Sequence, residues 1–209
     1  MICFLGLACL VTMGSTAQIA VAGSIVAWGN DDYGQVSGTP TGTGFTAIAS
    51  GGFHGYALRA DGSIAAWGSD FFGEVSNTPT GTGFTAIAAG GSFGYALRAD
   101  GSIAGWGYDG DGQVSNTPTG TGFTAIASGA YHGYALRADG SIAAWGYDGD
   151  GQVSNTPTGT GFTAIASGYY NGYALRAEQT PAVPEPSTVV LTGLGAIAVI
   201  WRQSRRRTA

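Results

Sequence analysis

Residues 106–129 read WGYDGDGQVSNTPTGTGFTAIASG, and residues 145–168 repeat them letter for letter. The same Trp-Gly step stands at Trp28, Trp67, Trp106 and Trp145, each 39 residues after the last. A fixed period of this size marks tandem supersecondary units, each unable to bury its apolar face alone. Four copies therefore run from Gly23 to Ala177, and the series stops where Glu178-Gln179 replaces the Asp-Gly that precedes each later Ser-Ile.

Within one copy, Phe123 to Ala127, Tyr134 to Ala138 and Ser141 to Trp145 are rich in aromatic and aliphatic residues and bounded by glycine, which reads as three strands. Asp139-Gly140, repeated at Asp61-Gly62 and Asp100-Gly101, predicts a two-residue type I′ hairpin between the second and third. Gly and Pro interrupt every window that would make an amphipathic helix. Many short, evenly spaced strands with periodic Gly and aromatic residues predict an all-β propeller, closed or as an open arc, or a β-solenoid.

The ends of the chain differ from its middle. Residues 2–13, ICFLGLACLVTM, form an uncharged apolar run followed by small residues, which predicts a signal peptide over residues 1–22. Cys3 and Cys9 are the only cysteines, so a processed chain offers no disulfide and no thiol ligand. The repeats then occupy residues 23–179. A Pro-rich linker spans 180–187, and residues 188–209 pair a hydrophobic segment, expected as an apolar C-terminal helix, with an arginine-rich tail. That segment is short against the about 20 apolar residues of a spanning helix, so Arg202, Arg205, Arg206 and Arg207 must snorkel or the tail be processed. The positive-inside rule keeps those arginines cytoplasmic and turns the repeats outward.

The order Val183-Pro184-Glu185-Pro186-Ser187, hydrophobic stretch, arginine cluster resembles the PEP-CTERM sorting signal of bacterial surface proteins. The resemblance implies recognition at Pro184, Glu185 and Pro186 by an exosortase-type enzyme. It also implies delivery to the cell envelope, outer surface or extracellular matrix, with a transient or permanent membrane anchor. From Gly23 to Ala177 eleven acidic residues face four arginines, and the chain holds no lysine. Such a domain repels phosphate backbones, which argues against nucleic acid as a partner.

The ordered motifs GSIAAWG, GQVS, FTAIASG and HGYALRADG resemble the repeats of the regulator of chromosome condensation family, in the short form found in bacterial secreted proteins, including a β-lactamase inhibitory protein. The resemblance implies propeller blades. Members usually close with seven, and this chain has four copies. It starts with a lone third strand, Ser24 to Trp28, and ends with a first and second, Phe162 to Ala166 and Tyr173 to Ala177. Pairing of these fragments within one molecule closes a four-bladed ring, whereas pairing between molecules gives a head-to-tail homo-oligomer or filament.

Differences between copies concentrate in two loops, the one after each Trp-Gly and the one before each Gly-Tyr-Ala-Leu-Arg-Ala. Strand parity places both at the same end of a blade, with the Asp-Gly turn at the other. One face is therefore expected to gather Tyr33, Phe53, His54, Phe71, Phe72, Phe93, Tyr108, Tyr131, His132, Tyr147, Tyr169 and Tyr170 beside acidic groups. Aromatic loops on a rigid scaffold form a recognition surface for a protein or a polysaccharide, unless the rings pack beneath their own loops.

Asp109-Gly110-Asp111-Gly112 and Asp148-Gly149-Asp150-Gly151 resemble the opening of a calcium loop, yet Gln113 and Val114 stand where further oxygen ligands belong, so a polar turn is expected and no metal or cofactor assigned. A Ser50, His54, Asp61 trio fails as a catalytic relay because Asp61 belongs to the hairpin at the far end of the blade. Asp70 and Glu74 read as exposed loop acids with no catalytic role. The sequence thus points to an exported binding module rather than an enzyme. A structural matrix protein that assembles head to tail through its split blade is the alternative.

Overall fold

The computed structural model describes residues 23–178, and the segments assigned to the signal peptide, the sorting motif and the C-terminal helix lie outside them. The described chain is all β. Strands β1 (Phe45–Ser50), β2 (His54–Arg59) and β3 (Ile64–Gly68) form a three-stranded antiparallel sheet in the order β1-β2-β3. The same sheet recurs as β4 (Phe84–Ala89), β5 (Phe93–Arg98) and β6 (Ile103–Gly107), and as β7 (Phe123–Ser128), β8 (His132–Arg137) and β9 (Ile142–Gly146). Among the described residues, strands β10 (Phe162–Ser167) and β11 (Gly172–Arg176) make a fourth sheet of two strands.

The middle strand of each complete blade is buried over five consecutive residues, His54 to Leu58, Phe93 to Leu97 and His132 to Leu136, because sheets or loops cover both of its faces. First strands are buried at their opening phenylalanine and looser beyond it. A register shift follows that phenylalanine in every copy, and the threonine there, such as Thr46 or Thr124, donates its hydroxyl to a main-chain carbonyl of the middle strand. Such a bulge raises local twist. Each arginine that ends a middle strand lies over the phenylalanine opposite it, from Arg59 on Phe45 at 5.6 Å to Arg176 on Phe162 at 4.3 Å. All four arginines of the repeats are occupied in this way.

Three sequence expectations are corrected. The Asp-Gly hairpins are not type I′, which needs positive φ at both central residues, because only Gly62, Gly101 and Gly140 have it, near +78°. Each is a longer turn in which Arg59 accepts from Gly62 and the Asp61 carboxylate accepts from the Ser63 N–H at 2.9 Å. Middle strands begin two residues earlier than expected, at His54 and His132, since the pairing runs on from Tyr134↔Ala144 through Gly133↔Trp145 to His132↔Gly146. Finally, Ser24 to Trp28 is not a strand. Gly23 bridges Phe45, but no neighbouring middle strand accompanies the rest.

Successive blades are joined by one recurring unit. Tyr56 of β2 donates its hydroxyl to the Glu74 carbonyl at 2.9 Å, and Trp106 of the next blade donates its indole N–H to that same carbonyl at 2.9 Å. One blade further, Tyr95 and Trp145 meet at the Gln113 carbonyl, at 2.7 and 2.9 Å. In both pairs the rings lie edge to face with centroids 5.0 Å apart. Tyr56 and Leu58 thereby enter one core with Phe84, Ala96 and Trp106, while Tyr95 and Leu97 enter the next with Phe123, Ala135 and Trp145. Main-chain bonds near the loop end add a second tie: Gly52 donates to Gly91, Gly91 to Ala130, and Ala130 to Tyr169.

Close approach at this unit requires glycine. A Cβ on Gly94 would lie 2.5 Å from the Tyr56 ring and 2.6 Å from the Trp106 ring. Gly94→Ala and Gly133→Ala are each expected to cost about 1–3 kcal/mol through overpacking. Gly23→Ala, which meets nothing within 4 Å, is expected to stay within about 0.5 kcal/mol of wild type. Denaturant unfolding monitored by tryptophan fluorescence measures all three.

Candidate functional site

The loop after each third strand is built by two side chains. The Asp109 carboxylate accepts from the N–H groups of Val114 and Ser115 at 2.8 and 2.9 Å, and Asp31, Asp70 and Asp148 hold the same position in their copies. Hydrogen bonds from Ser115 and then Val114 keep the Asp109 carboxyl below its ordinary range, and Ser154 and Val153 do the same for Asp148. The first acids of the Asp-Gly-Asp-Gly loops are therefore turn-forming acceptors. No group of three or more His, Cys, Asp or Glu converges among the described residues.

The second builder is the glutamine that follows. Buried Gln113 accepts from the Asp111 N–H at 2.8 Å and returns a bond to the Asp111 carboxylate at 3.1 Å. Gln152 and Asp150 repeat the exchange. In the second loop the position is Glu74, which the structure buries rather than exposes, because its carboxylate accepts from the Phe72 N–H at 2.7 Å. This residue also lends its main-chain carbonyl to the Tyr56 and Trp106 pair, so the loop conformation and the joint between blades are set together.

Both variable loops emerge at one end of the blade, where main-chain bonds stitch them: Ser69 donates to Phe53, Tyr108 to Ser92, and Tyr147 to Tyr131. The aromatic residues collect there in three groups. Tyr33 touches Phe53 and Phe71 edge to face, at 5.1 and 5.6 Å. Phe72 meets Tyr108 at 4.9 Å. Tyr131 lies within 6.2 Å of Tyr147, Tyr169 and Tyr170, and its hydroxyl is 3.2 Å from that of Tyr169. That bond to Tyr169, with its charge, pushes the Tyr131 phenol up to about 12. Tyr33, Phe53, Phe71, Phe72, Tyr169 and Tyr170 are exposed, and Tyr108, Tyr131 and Tyr147 are partly covered.

The remaining three expected members are not at the surface. Phe93, His54 and His132 open their middle strands and are buried between blades. Sequence parity misplaced them because the strands were read as starting at the following tyrosine. His132 places Nε2 at 2.9 Å from the Ser167 hydroxyl, whereas His54 faces Ala89 at the equivalent position and finds no partner for either ring nitrogen. Burial pushes the His54 imidazole down to about 4, and the nearby Phe93 backbone pulls the other way. His54 opens β2 and Asp61 lies beyond its other end, which removes the relay geometry.

A cleft of about 260 Å³ opens between the third and fourth blades, lined by Tyr131, Tyr147 and Tyr170 and by Asp111 and Asp150. Its two acids are the second aspartates of adjacent loops, each steadied by its own glutamine. Sequence reasoning named the three tyrosines but missed Asp111 and Asp150 as a pair, since 39 residues separate them.

Comparison with known proteins agrees with this architecture. Residues 45–74, 84–113 and 123–152 match the model for the regulator of chromosome condensation (RCC1) repeat. Each matched stretch takes in one of the three complete blades and the loop that follows it. Residues 182–207 match the PEP-CTERM protein-sorting motif. Among solved structures, the chain is similar to the ectodomain of the receptor kinase CR4 from Physcomitrella patens, at 28% identity and a TM-score of 0.53, over 69% of this chain and 39% of that one. The ectodomain of the receptor kinase ACR4 from Arabidopsis thaliana follows, at 24% identity and 0.52, over 64% and 46%. Prp20p from Saccharomyces cerevisiae gives 19% and 0.53, over 66% and 44%. The chain thus spans less than half the length of each. No curated protein sequence matches it. The PEP-CTERM motif implies export to the cell envelope and processing by an exosortase.

The histidine environments generate a pH prediction. A histidine whose folded pKa lies near 4, against about 6.5 unfolded, binds its proton more readily in the unfolded chain, so stability falls as pH drops from about 6.5 to 4. The loss reaches about 3 kcal/mol at full effect. His54→Phe, which installs the residue of the second blade, is expected to remove the His54 share of that slope and leave the share of His132, which burial also shifts down. Ala89→Ser is expected to gain about 1 kcal/mol at neutral pH by supplying the missing partner. Unfolding free energies measured across this pH range check both.

Proposed function

We propose that the chain is an exported surface module that binds a neutral or amine-bearing polysaccharide at the cleft of Tyr131, Tyr147, Tyr170, Asp111 and Asp150. The observation that carries this reading is the convergence of three tyrosine rings and two carboxylates from the loops of neighbouring blades. Tyrosine rings offer broad apolar faces at low entropic cost, suited to the C–H face of a sugar ring. Each carboxylate spends one oxygen on its glutamine and keeps the other for a sugar hydroxyl or ammonium. The acidic surface disfavours polyanionic glycans.

In this reading residues 23–179 are the binding domain, residues 1–22 direct export, and the segment from 180 onward delivers the chain to the cell exterior. The outward-facing ectodomain of a plant receptor kinase, built on the same fold, is a precedent for the orientation. Tyr33, Phe53, Phe71, Phe72, Tyr108 and Tyr169 extend the contact along the face for a polymer longer than the cleft.

Affinity electrophoresis of the full chain through gels holding a polyglucosamine, a neutral glucan or a polyuronate tests the proposal. Retardation by one of the first two is expected. Tyr131→Ala and Tyr170→Ala should each weaken it about tenfold, the effect of losing a central aromatic anchor. Retardation by the polyuronate alone, or binding to a protein unaffected by both changes, would overturn it.

A further inference from the structure

The unit that joins blades is complete at two places and half-made at two others. At the leading end, Trp67 donates its indole N–H to the Gln35 carbonyl at 2.8 Å, but no tyrosine shares that carbonyl. The sequence has no tyrosine before Tyr33 to supply one. At the trailing end, Tyr134 donates to the Gln152 carbonyl at 2.8 Å with no tryptophan of the described residues beside it. One end holds the tryptophan half and the other the tyrosine half.

The missing halves are present elsewhere in the chain and unused. Trp28 stands 39 residues before Trp67 and is 84% exposed, whereas Trp106 and Trp145 are 3% exposed. Tyr173 stands 39 residues after Tyr134 and is 67% exposed, against 5% or less for Tyr56, Tyr95 and Tyr134. Leu175 and Ile48, whose counterparts sit in or against the cores between blades, are 67% exposed as well. A cleft of about 230 Å³ opens beside Tyr134, bounded by Gln152, Ile165 and Gly172, where the next tryptophan belongs. Among the described residues strand β11 pairs only with β10, so its outer edge presents main-chain groups unpaired by them.

We infer that a second copy of this chain fills these half-made units, its Ser24 to Trp28 pairing antiparallel with β11 as the third strand of the fourth blade. The register follows from the complete blades. Leu58↔Ile64, Ala57↔Ala65 and Tyr56↔Ala66 become Leu175, Ala174 and Tyr173 against Ile25, Val26 and Ala27 of the second copy. Trp28 of the second copy enters the cleft beside Tyr134 and donates to the Gln152 carbonyl. Tyr173 meets the second copy's Trp67 at its Gln35 carbonyl. The main-chain series Gly52, Gly91, Ala130, Tyr169 then continues from the Tyr169 N–H to the second copy's Gly52 carbonyl. Every new contact repeats one already formed inside the chain, so the junction has the chemistry of an inner joint. It is head to tail, and it either closes a ring of several chains or propagates as a filament. The inference rests on the two blade edges and not on the glycan reading, although the cleft beside Tyr134 shares Asp150 and Tyr170 with the glycan cleft.

Cross-linking of the full chain in detergent, with Cys3 and Cys9 replaced by serine, tests it. Val26→Cys and Ala174→Cys are prepared as separate proteins, mixed and oxidised. A disulfide between residues 26 and 174 of different chains, identified by mass spectrometry, is the expected result. In the wild-type chain, light scattering should show mass rising with concentration while tryptophan emission shifts to the blue as Trp28 is buried. Trp28→Ala, a change at an exposed residue that leaves the monomer folded, should abolish both. No mixed disulfide, a link confined to one chain in the double variant, or assembly unchanged in Trp28→Ala would each overturn the inference.

Discussion

A single main-chain carbonyl, placed in the loop after each third strand, governs how one blade meets the next. Tyr56 and Trp106 converge on the carbonyl of Glu74, and Tyr95 and Trp145 on that of Gln113. Each bond contributes about 1 kcal/mol, and the edge-to-face ring pair adds about as much. Their larger effect is geometric. A buried carbonyl with two fixed donors admits one relative placement of the neighbouring sheets, and leaving it unpaired would cost more than either bond contributes.

Several features that look separate follow from this constraint. The carbonyl must be held still, which the aspartate and the glutamine or glutamate of the loop achieve by taking up its N–H groups. The rings must approach a backbone closely, which admits only glycine at Gly94 and Gly133. Both requirements recur in every blade, which gives a physical reason for so little variation in the motifs that carry them. Freedom is left to positions that touch none of these atoms. They lie at the loop tips, and there the aromatic face and the paired Asp111 and Asp150 are assembled.

The two ends of the series differ from its middle for the same reason. A sheet lacking a neighbour retains the half of the joint it carries, so Trp67 and Tyr134 keep their carbonyls while Trp28 and Tyr173 remain in solvent. The histidines show the limit of identity between copies. His132 has the Ser167 hydroxyl at one ring nitrogen, whereas His54 has Ala89 at the equivalent position, and one substitution in a neighbouring strand separates a ring bonded at one nitrogen from a ring bonded at neither.

The spacing of Trp28, Trp67, Trp106 and Trp145, with the glycine-bounded strands between them, was enough to read the repeat, the all-β class and the common face of the variable loops. These properties depend on local pattern and strand parity alone. Four things depended on tertiary structure: the burial of His54, Phe93 and His132, the burial of Glu74, the turn type at Asp61-Gly62, and the pairing of Asp111 with Asp150. A strand's first residue is decided by the partner it pairs with, a loop acid's exposure by the N–H group it captures, and a turn's φ values by the hydrogen bonds that close it. Two acids 39 residues apart become neighbours only because the shared carbonyl fixes one blade against the next.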